Sequence, residues 1–234
     1  EVPLARYKEL LHDVVAHGHR PFVYLWGGEP MLYDGSVDLI EEATRLGLPA
    51  TIATNGTRIT SSAARFVDAP LFLLQISIDG PNAEIHNRIR PGQGNINSFE
   101  SIGEGIEAVR AERARRKKDF PLIVSLTTIS RDNHPHLVDI YEAFKDRVDI
   151  CVFYLSWWID EARAAAHDED FSRRFGFKPE LHHGWVGGWK PQDYALLSQQ
   201  LLDLKQRSHG DTPVILIPDI TDQEQLRSYY TNHA

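Results

Sequence analysis

Residues 71–81 read LFLLQISIDGP, a nearly continuous apolar run that stops at Asp79, Gly80 and Pro81. A short run of this kind is typical of a strand covered on both faces, because a strand with one wet face would alternate. Comparable runs lie on either side of it along the chain: FVYLW (22–26), ATIAT (50–54), LIVSLTTIS (122–130), ICVFYLS (150–156) and TPVILIP (212–218). The sequence therefore predicts six strands.

Helical patterns separate these strands. The spacing of Leu4, Tyr7 and Leu10 predicts a first helix that Gly18 ends in a left-handed turn. Later helices are expected at 36–47, 61–68, 98–118 and 135–146, from 191 and from 221, with Ser36, Ser98 and a Thr221/Glu224 capping box at three of their starts. This alternation predicts an α/β fold with parallel strands, either an open doubly wound sheet or a (β/α) barrel, complete or partial. The length fits one domain over residues 1–234.

The composition limits the classes of function. With 33 acidic against 25 basic residues, the chain would repel a phosphate backbone or an anionic membrane surface, so neither nucleic acid nor a membrane is expected as a partner. No apolar run approaches the roughly 20 residues of a membrane helix, and no export pattern opens the chain, so a cytoplasmic location is expected. Cys151 is the only cysteine, which excludes an internal disulfide and any cluster of several thiolates built from this chain alone.

Polar residues gather where the predicted strands end, in WGGEP (26–30), TNGT (54–57), SIDG (77–80), TIS (128–130) and SWW (156–158). The carboxyl ends of parallel strands meet at one mouth of a barrel, so these groups are expected close together. Gly27 and Gly28 leave the backbone open to a ligand and Pro30 stops the strand, so the loop can offer the Glu29 carboxylate to a cation. Taken alone, the glycines and proline of this loop, like Asn55-Gly56, are residues commonly found in turns.

Two further groups carry candidate chemistry. Ser77 and Asp79 alternate at the end of a strand, so both are expected on one face, where they suit a diol or polar tail. In HNRIRP (86–91), His86 adds a titratable ring, and Arg88 and Arg90 add guanidinium groups suited to a carboxylate, although surface cations are the default interpretation. The eleven histidines include the pair His182-His183, but no HExxH or clear HxH pattern is present, so no metal ligand is predicted.

The segment 157–190 breaks the alternation. It holds a helix-like EARAAAHDEDFSRRFG (161–176) and an aromatic, glycine-rich LHHGWVGGW (181–189), and it follows the end of a strand, where α/β proteins place their sites. A lid or substrate wall over the barrel mouth is one interpretation. A surface excursion packed by its own tryptophans is the other.

In their order along the chain, WGGEP, ATNGT, ISIDGP with HNRIRP, and SLTTISRDN resemble the radical S-adenosylmethionine (SAM) enzyme family over about residues 22–156, most closely its SPASM-type, peptide-modifying group. The resemblance implies a partial (β/α)6 TIM-like barrel with SAM across the carboxyl ends of the strands. It implies that Gly27, Gly28, Glu29 and Pro30 hold the methionyl amino group, that Asn55, Ser77 and Asp79 lie beside the ribose or carboxylate, that Arg90 binds the carboxylate, and that strand 153–155, with Tyr154, flanks the adenine.

The same resemblance implies a [4Fe-4S] cluster held by a CxxxCxxC loop, which these 234 residues do not contain. The loop is expected before Glu1, and a cysteine-rich extension is expected to begin within 212–234. The chain also has His86-Asn87 where the family commonly has His-Asp. The implied parent protein reductively cleaves SAM to a 5′-deoxyadenosyl radical, takes electrons from a donor such as flavodoxin or ferredoxin, and abstracts hydrogen from a peptide, protein or small-molecule substrate. These residues alone are expected to bind no stoichiometric iron and to be inactive.

Two other classes of function stay open on the sequence. A cluster-free βα-barrel hydrolase or isomerase would need its own base, for which Glu29, Asp79 and His86 are the candidates. A non-catalytic peptide-binding module would use the aromatic segment 157–189, with Trp185 and Trp189 as its anchors.

Overall fold

A computed structural model describes residues 2–92, 94, 96–157, 159–180, 182–183, 186, 189–208 and 212–231. Six strands form one sheet in chain order, and every neighbouring pair is parallel. They are β1 (Val23–Leu25), β2 (Ala50–Thr54), β3 (Leu73–Ser77), β4 (Leu122–Ile129), β5 (Ile150–Leu155) and β6 (Val214–Ile217). The predicted six-stranded partial (β/α)6 barrel is confirmed, with β1 and β6 at the two edges of the sheet.

Helices connect the strands and cover one face of the sheet. They are α1 (Leu4–Ala16), α2 (Ser36–Arg45), α3 (Ala63–Asp68), α4 (Ala83–Ile89), α5 (Ser98–Arg116), α6 (Leu137–Phe144), α7 (Glu161–Phe175), α8 (Tyr194–Arg207) and α9 (Gln223–Thr231). None of the helices in the described ranges combines the length and the apolar composition needed to span a membrane.

The pleat of the sheet divides its side chains between a core and an inner, concave face. Ile52, Leu74 and Ile76 lie on the helix side and are fully buried. Gln75 and Ser77, which alternate with them, are only half-buried, and Trp26 and Ile217 are exposed on the same inner side. Thr51, Val124 and Val152, on the same inner side, are buried, so the expectation of strands covered on both faces holds for only part of the inner face.

Local chain signals shift three predicted helix starts by one residue or more. Asn97, not Ser98, is the N-cap of α5, with its Oδ1 3.3 Å from the Glu100 amide. Asp222 caps α9 by accepting from the Gln225 amide at 2.9 Å, so the predicted Thr221/Glu224 capping box is wrong. Ser36 is the first residue of α2 and Gly35 occupies the cap. At α5 and α9, an Asn or Asp beside the predicted serine or threonine offers an equally good or better acceptor, whereas Gly35 caps α2 without a side-chain bond.

A helix that the sequence pattern did not indicate lies between β3 and α5. Helix α4 has only seven residues, and Asn82 begins it by accepting from the Ile85 amide at 3.1 Å. It places His86 in the core and returns the chain to Arg90 at the strand ends.

Cys151 is a small buried residue of the core. It is 1% exposed and points to the helix layer, and burial raises the pKa of its thiol to about 11. A thiol in this state is an inert core group and not a metal ligand.

Candidate functional site

The loops after β1 and β2 are joined through the carboxylate of Glu29. Its Oε1 accepts from the Met31 amide at 2.9 Å and from the Thr54 hydroxyl at 2.6 Å, and its Oε2 accepts from the Asn55 amide at 2.6 Å. Three of about four acceptor positions are thus used within the protein. Glu29 therefore fixes the position of two loops and keeps one acceptor position for a ligand.

The glycines before Glu29 leave its loop open on the outside. A Cβ built on Gly27 or on Gly28 would meet nothing within 4 Å, and Gly27 has a φ of +143° that side chains rarely adopt. Both glycines are exposed, so their peptide groups face open space. Gly28 and Glu29 also line a cavity of about 370 Å³ between α1 and the edge strand β1.

Asn55 does not adopt the positive φ that its turn motif suggested. The left-handed residue is Gly56, with a φ of +84°, while the Asn55 side chain accepts from the Thr57 amide at 3.0 Å and from the Thr57 hydroxyl at 2.8 Å. The side chain of Asn55 thus holds the turn together, and its peptide N–H points at Glu29.

Asp79 is the most buried carboxylate of the site. It is 2% exposed, its Oδ2 accepts from Nε of Arg90, and its Oδ1 accepts from the Thr128 amide at 2.8 Å. Burial raises the pKa of Asp79, and the positive charge of Arg90 opposes this rise. Among the described residues Arg90 has no other carboxylate partner, so the outer part of its guanidinium is available to an anionic group. Arg88, in contrast, is an exposed surface cation 3.6 Å from Asp132.

A fully buried amide, Asn133, locks the ends of β3 and β4 together. Its Nδ2 donates to the carbonyl oxygens of Asp79, at 3.1 Å, and of Thr128, at 3.0 Å, and its Oδ1 accepts from the Ser130 amide at 2.7 Å. No role was predicted for this residue, because its complete burial, which requires it to find partners, is not visible in the sequence.

His86 is enclosed in the core and is neutral at physiological pH. Its Nδ1 accepts from the Asp79 amide at 3.2 Å, its ring packs 5.8 Å from that of Phe99, and burial lowers its pKa to about 4, assisted by the charge of Arg90. A buried imidazole whose Nδ1 is bonded to the backbone is not placed to serve an external substrate as a base. His86 is therefore a positioning residue for the Asp79 backbone.

The Asn87 that departs from the family pattern has a structural role here. Its Oδ1 accepts from the Ser98 hydroxyl at 2.8 Å and from the Phe99 amide at 3.0 Å, and its Nδ2 donates to Asn97 Oδ1 at 2.7 Å. It anchors the start of α5, and an aspartate could not donate to Asn97.

The concave face presents Ser77, Leu126, Thr128 and Tyr154 in neighbouring register positions. Ser77 pairs with Leu126, and Thr128 pairs with Tyr154. In strand 153–155 only Tyr154 faces this side, since Phe153 and Leu155 are buried in the core at 1% and 3% exposure. Of the strand that was expected to flank the ligand, only the Tyr154 side chain is therefore in a position to do so.

Tyrosine hydroxyls mark the floor of the same face. The Tyr24 hydroxyl donates to Gln75 Oε1 at 2.5 Å. Partial burial raises the pKa of Tyr24, and the nearby Tyr154 phenol raises it further. Neither Tyr24 nor Gln75 was predicted from the sequence, because an apolar run conceals which of its residues face inward.

The segment 157–190 leaves from the end of β5 and returns beside the site. Ile159 pairs with Val186, and the Trp189 ring lies 4.8 Å from that of His134, just after β4, and 5.9 Å from that of Tyr230. Trp189 is therefore a packing residue of the fold. Trp158 and Trp185, which the predicted aromatic surface included, lie outside the described residues.

The structure brings the predicted residues together in two groups. Gly27, Gly28, Glu29, Pro30 and Asn55 gather around the Glu29 carboxylate, and Asp79 and Arg90 pair at the end of β3 beside Ser77. The Asp79 carboxylate is already bonded to Arg90 and to the Thr128 amide, so of these two residues only Ser77 offers its side chain to a ligand.

The chain is similar in sequence to a known family and to several curated proteins. A family model described as the Radical SAM superfamily matches residues 1–144. The chain is 35% identical over 133 residues to an AdoMet-dependent heme synthase of Oleidesulfovibrio alaskensis, an alignment that covers 56% of this chain and 32% of that protein. It is 28% identical over 154 residues to a cysteine-type anaerobic sulfatase-maturating enzyme of Clostridium perfringens, covering 63% and 39% of the two chains. The chain thus spans about a third to two fifths of the length of these relatives.

A solved structure shares the fold. Streptococcus suis SuiB bound to S-adenosylmethionine superposes with a TM-score of 0.60 at 12% identity, over 92% of this chain and 43% of that chain. SuiB has also been solved bound to its precursor peptide SuiA, with a TM-score of 0.59.

Proposed function

The chain belongs to the radical SAM superfamily, and on that premise we propose that its strand-end site binds the SAM of an enzyme that modifies a peptide or protein. The observation that carries the proposal is that several polar groups stand at the carboxyl ends of neighbouring strands. Glu29, after β1, accepts from the amide that follows β2, and Ser77 is the last residue of β3. Arg90 pairs with Asp79 just beyond β3, and Tyr154 lies near the end of β5. These groups match the chemistry of SAM, which has an ammonium, a carboxylate, a ribose and an adenine.

Each residue is assigned by the group it can offer. Glu29, with one acceptor position left, and the exposed peptide groups of Gly27 and Gly28 receive the ammonium. Pro30 fixes the turn that aims them, because its ring begins the 3₁₀ turn Pro30–Leu32.

The remaining contacts are assigned to the other strands. The outer nitrogens of Arg90 receive the carboxylate of SAM, while Asp79 holds the guanidinium from behind. Ser77, beside Asn55, offers a hydroxyl to the ribose, and the half-buried ring of Tyr154 flanks the adenine.

The iron–sulfur cluster that the family implies does not fit the donors of this chain. The chain has a single thiol, that of Cys151, whereas an iron–sulfur cluster needs several thiolates. This thiol is also buried on the helix side of the sheet, away from the strand ends. We therefore propose that the cluster ligands come from protein outside these 234 residues, and that the 234 residues alone form no radical. In the whole protein, bound SAM and a reduced [4Fe-4S] cluster would supply radical hydrogen-abstraction chemistry, with electrons from a flavodoxin or ferredoxin.

The part played by the chain's own residues is orientation. The carboxylate bridge at Glu29 and the Asp79–Arg90 pair hold the loops and the cation in place before the ligand arrives, so little ordering remains to be done on binding. The segment 157–190 returns beside the strand ends through Trp189, which supports its proposed role as the wall that contacts the substrate.

The choice of a peptide substrate is supported by the relatives named as sulfatase-maturating enzymes and by the fold shared with SuiB. A second candidate is a small tetrapyrrole substrate, because the heme synthase of O. alaskensis is more similar in sequence, at 35% identity. Replacing residues 161–180 with a short linker should change binding of the true substrate class and leave SAM affinity unchanged.

The test of SAM binding uses the full-length protein, reconstituted with iron and sulfide without oxygen. We expect it to form 5′-deoxyadenosine from SAM on reduction, and we expect Glu29→Gln to weaken SAM binding about 10- to 100-fold, the size of a lost charge-assisted hydrogen bond. Glu104→Gln, an exposed change on α5, should have no effect.

One matched control separates ligand binding from loop structure. Thr54→Val removes a hydrogen bond to the same carboxylate but keeps its charge, so SAM affinity should fall far less than in Glu29→Gln. The proposal fails if the reconstituted protein forms no 5′-deoxyadenosine, or if Glu29→Gln binds SAM as tightly as the natural protein.

A further inference from the structure

Three metal-ligating side chains meet in the segment 157–190, away from the strand-end residues assigned to SAM. Asp168 lies in the middle of α7, and His182 and His183 come from the turn that follows it. One ligand atom from each of the three lies within 4.8 Å of the other two. This group combines two imidazoles and one carboxylate.

The distances within the group fit three ligands of one metal. Nε2 of His182 is 3.1 Å from Asp168 Oδ1, and Nε2 of His183 is 3.3 Å from Asp168 Oδ2. Ligand atoms about 2.0–2.2 Å from a tetrahedral metal lie roughly 3.3–3.6 Å apart, which is close to both values.

The buried atoms of the group lack the partners that they would need without a metal. Asp168 Oδ1 and both ring nitrogens of His182 are shielded from water and form no hydrogen bond with any described residue. Buried polar atoms are nearly always satisfied, so an imidazole with two unsatisfied nitrogens beside an unsatisfied carboxylate oxygen is unusual. A cation bound to one nitrogen of His182 and to Asp168 would satisfy both residues.

The local sequence explains how residues so far apart in the chain meet. Helix α7 ends at Phe175, and Gly176, with a φ of +78°, turns the chain back. The ring of Phe177 then packs 5.2 Å from that of Phe171, one turn beyond His167 on the same helix. The His167 ring lies edge-on 4.6 Å from His182, which fixes the orientation of that imidazole.

We propose that Asp168, His182 and His183 form a site for a divalent transition metal, of the kind that zinc occupies, and that the metal clamps the 182–183 turn onto α7. Imidazole and carboxylate ligands suit Zn²⁺, and two histidines with one carboxylate leave a fourth position for water. The clamp would fix the shape of the segment that returns beside the SAM site. This site is independent of the proposed SAM function, because its ligands include none of the SAM residues.

The test is Zn²⁺ binding to the untagged 234-residue chain, stripped with a chelator and titrated in competition with a chromophoric chelator. We expect one saturable site. We expect His183→Gln and Asp168→Asn to weaken it about 100-fold or more, since loss of a mere outer-shell partner already costs roughly 10- to 100-fold. His183 is half exposed and Asp168→Asn is isosteric, so both variants should keep the fold, which circular dichroism checks.

A second readout reports the clamp itself. Phe175 and Phe177 are both 61% exposed at the turn, so chymotrypsin should cut there, and Zn²⁺ should slow this cut in the natural chain but not in His183→Gln. His136→Gln is the matched control, because Asp139, at 3.1 Å, is the one carboxylate that His136 meets among the described residues. The proposal is overturned if no saturable site is found, or if His183→Gln and Asp168→Asn bind Zn²⁺ as His136→Gln does.

Discussion

Arg90 donates from its Nε to Oδ2 of Asp79, so a cation whose side chain is 36% exposed neutralises a carboxylate that is 2% exposed. The pair stands at the end of β3, and the same carboxylate accepts from the amide of Thr128 on β4. The anionic end of the site is therefore fixed to two strands, while its cationic end reaches the concave face.

Removing Arg90 should leave Asp79 without its counter-charge. We expect Arg90→Gln to lower the free energy of unfolding by about 2 kcal/mol at neutral pH, less than the roughly 3–5 kcal/mol of a fully buried pair, since Arg90 is partly exposed. Burial already raises the pKa of Asp79, and losing Arg90 raises it further. Protonation then relieves the penalty, so it should shrink as the pH falls. Urea unfolding at neutral and mildly acidic pH measures this, with Arg88→Gln as the exposed control; an equal penalty at both pH values would contradict it.

His86 should make the protein sensitive to acid. Its pKa falls from 6.5 to about 4 on folding, so the stability it contributes is complete above pH 6.5 and is lost as the pH drops toward 4, by up to about 3 kcal/mol. His86→Asn keeps an acceptor near the position of Nδ1 but cannot titrate. The unfolding free energy of this variant should therefore fall less between pH 7 and pH 4 than that of the natural chain. Parallel slopes would show that His86 is not the titrating group.

Gly80 should be intolerant of any side chain. A Cβ there would lie 2.4 Å from the backbone nitrogen of His86, and backbone cannot move aside as a flexible side chain can. We expect Gly80→Ala to cost about 3 kcal/mol of stability. Gly28→Ala should cost less than about 1 kcal/mol, because its Cβ meets nothing within 4 Å and its φ is not positive. Thermal unfolding of the two variants tests the difference, and similar costs would refute it.

Cys151 should stay unreactive until the protein unfolds. The thiol is 1% exposed and its pKa is raised to about 11 by burial, so almost no thiolate is present at neutral pH. A chromogenic disulfide reagent should release colour only after denaturant is added. Rapid reaction of the native chain would mean that β5 opens, and it would revive Cys151 as a ligand candidate.

The sequence predicted the sheet well because its signals are local. The first three apolar runs each end in a glycine, proline or asparagine turn, and this places Glu29, Asn55 and Asp79 at strand ends. Right-handed crossovers between parallel strands allow both a doubly wound sheet and a barrel, so the strand order was predicted only through the family resemblance.

What the sequence did not reveal depends on contacts between distant residues. His86 looked like a free titratable group, but α4 buries it beneath Asp79. Asn133 and Gln75 gave no pattern of their own, because their partners lie on other strands. His182 and His183 meet Asp168 only through the turn at Gly176, so no linear metal-binding spacing exists to be found.

The order of the strands has one more consequence. A closed barrel admits molecules only through its ends, whereas in the described part of this chain β1 and β6 are separate edges, so the inner face can also be reached from the side between them. An extended polymer can therefore lie across such a trough at any point along its own contour, without threading a free end. Size selection by such a surface acts on the cross-section of the polymer and not on its total length.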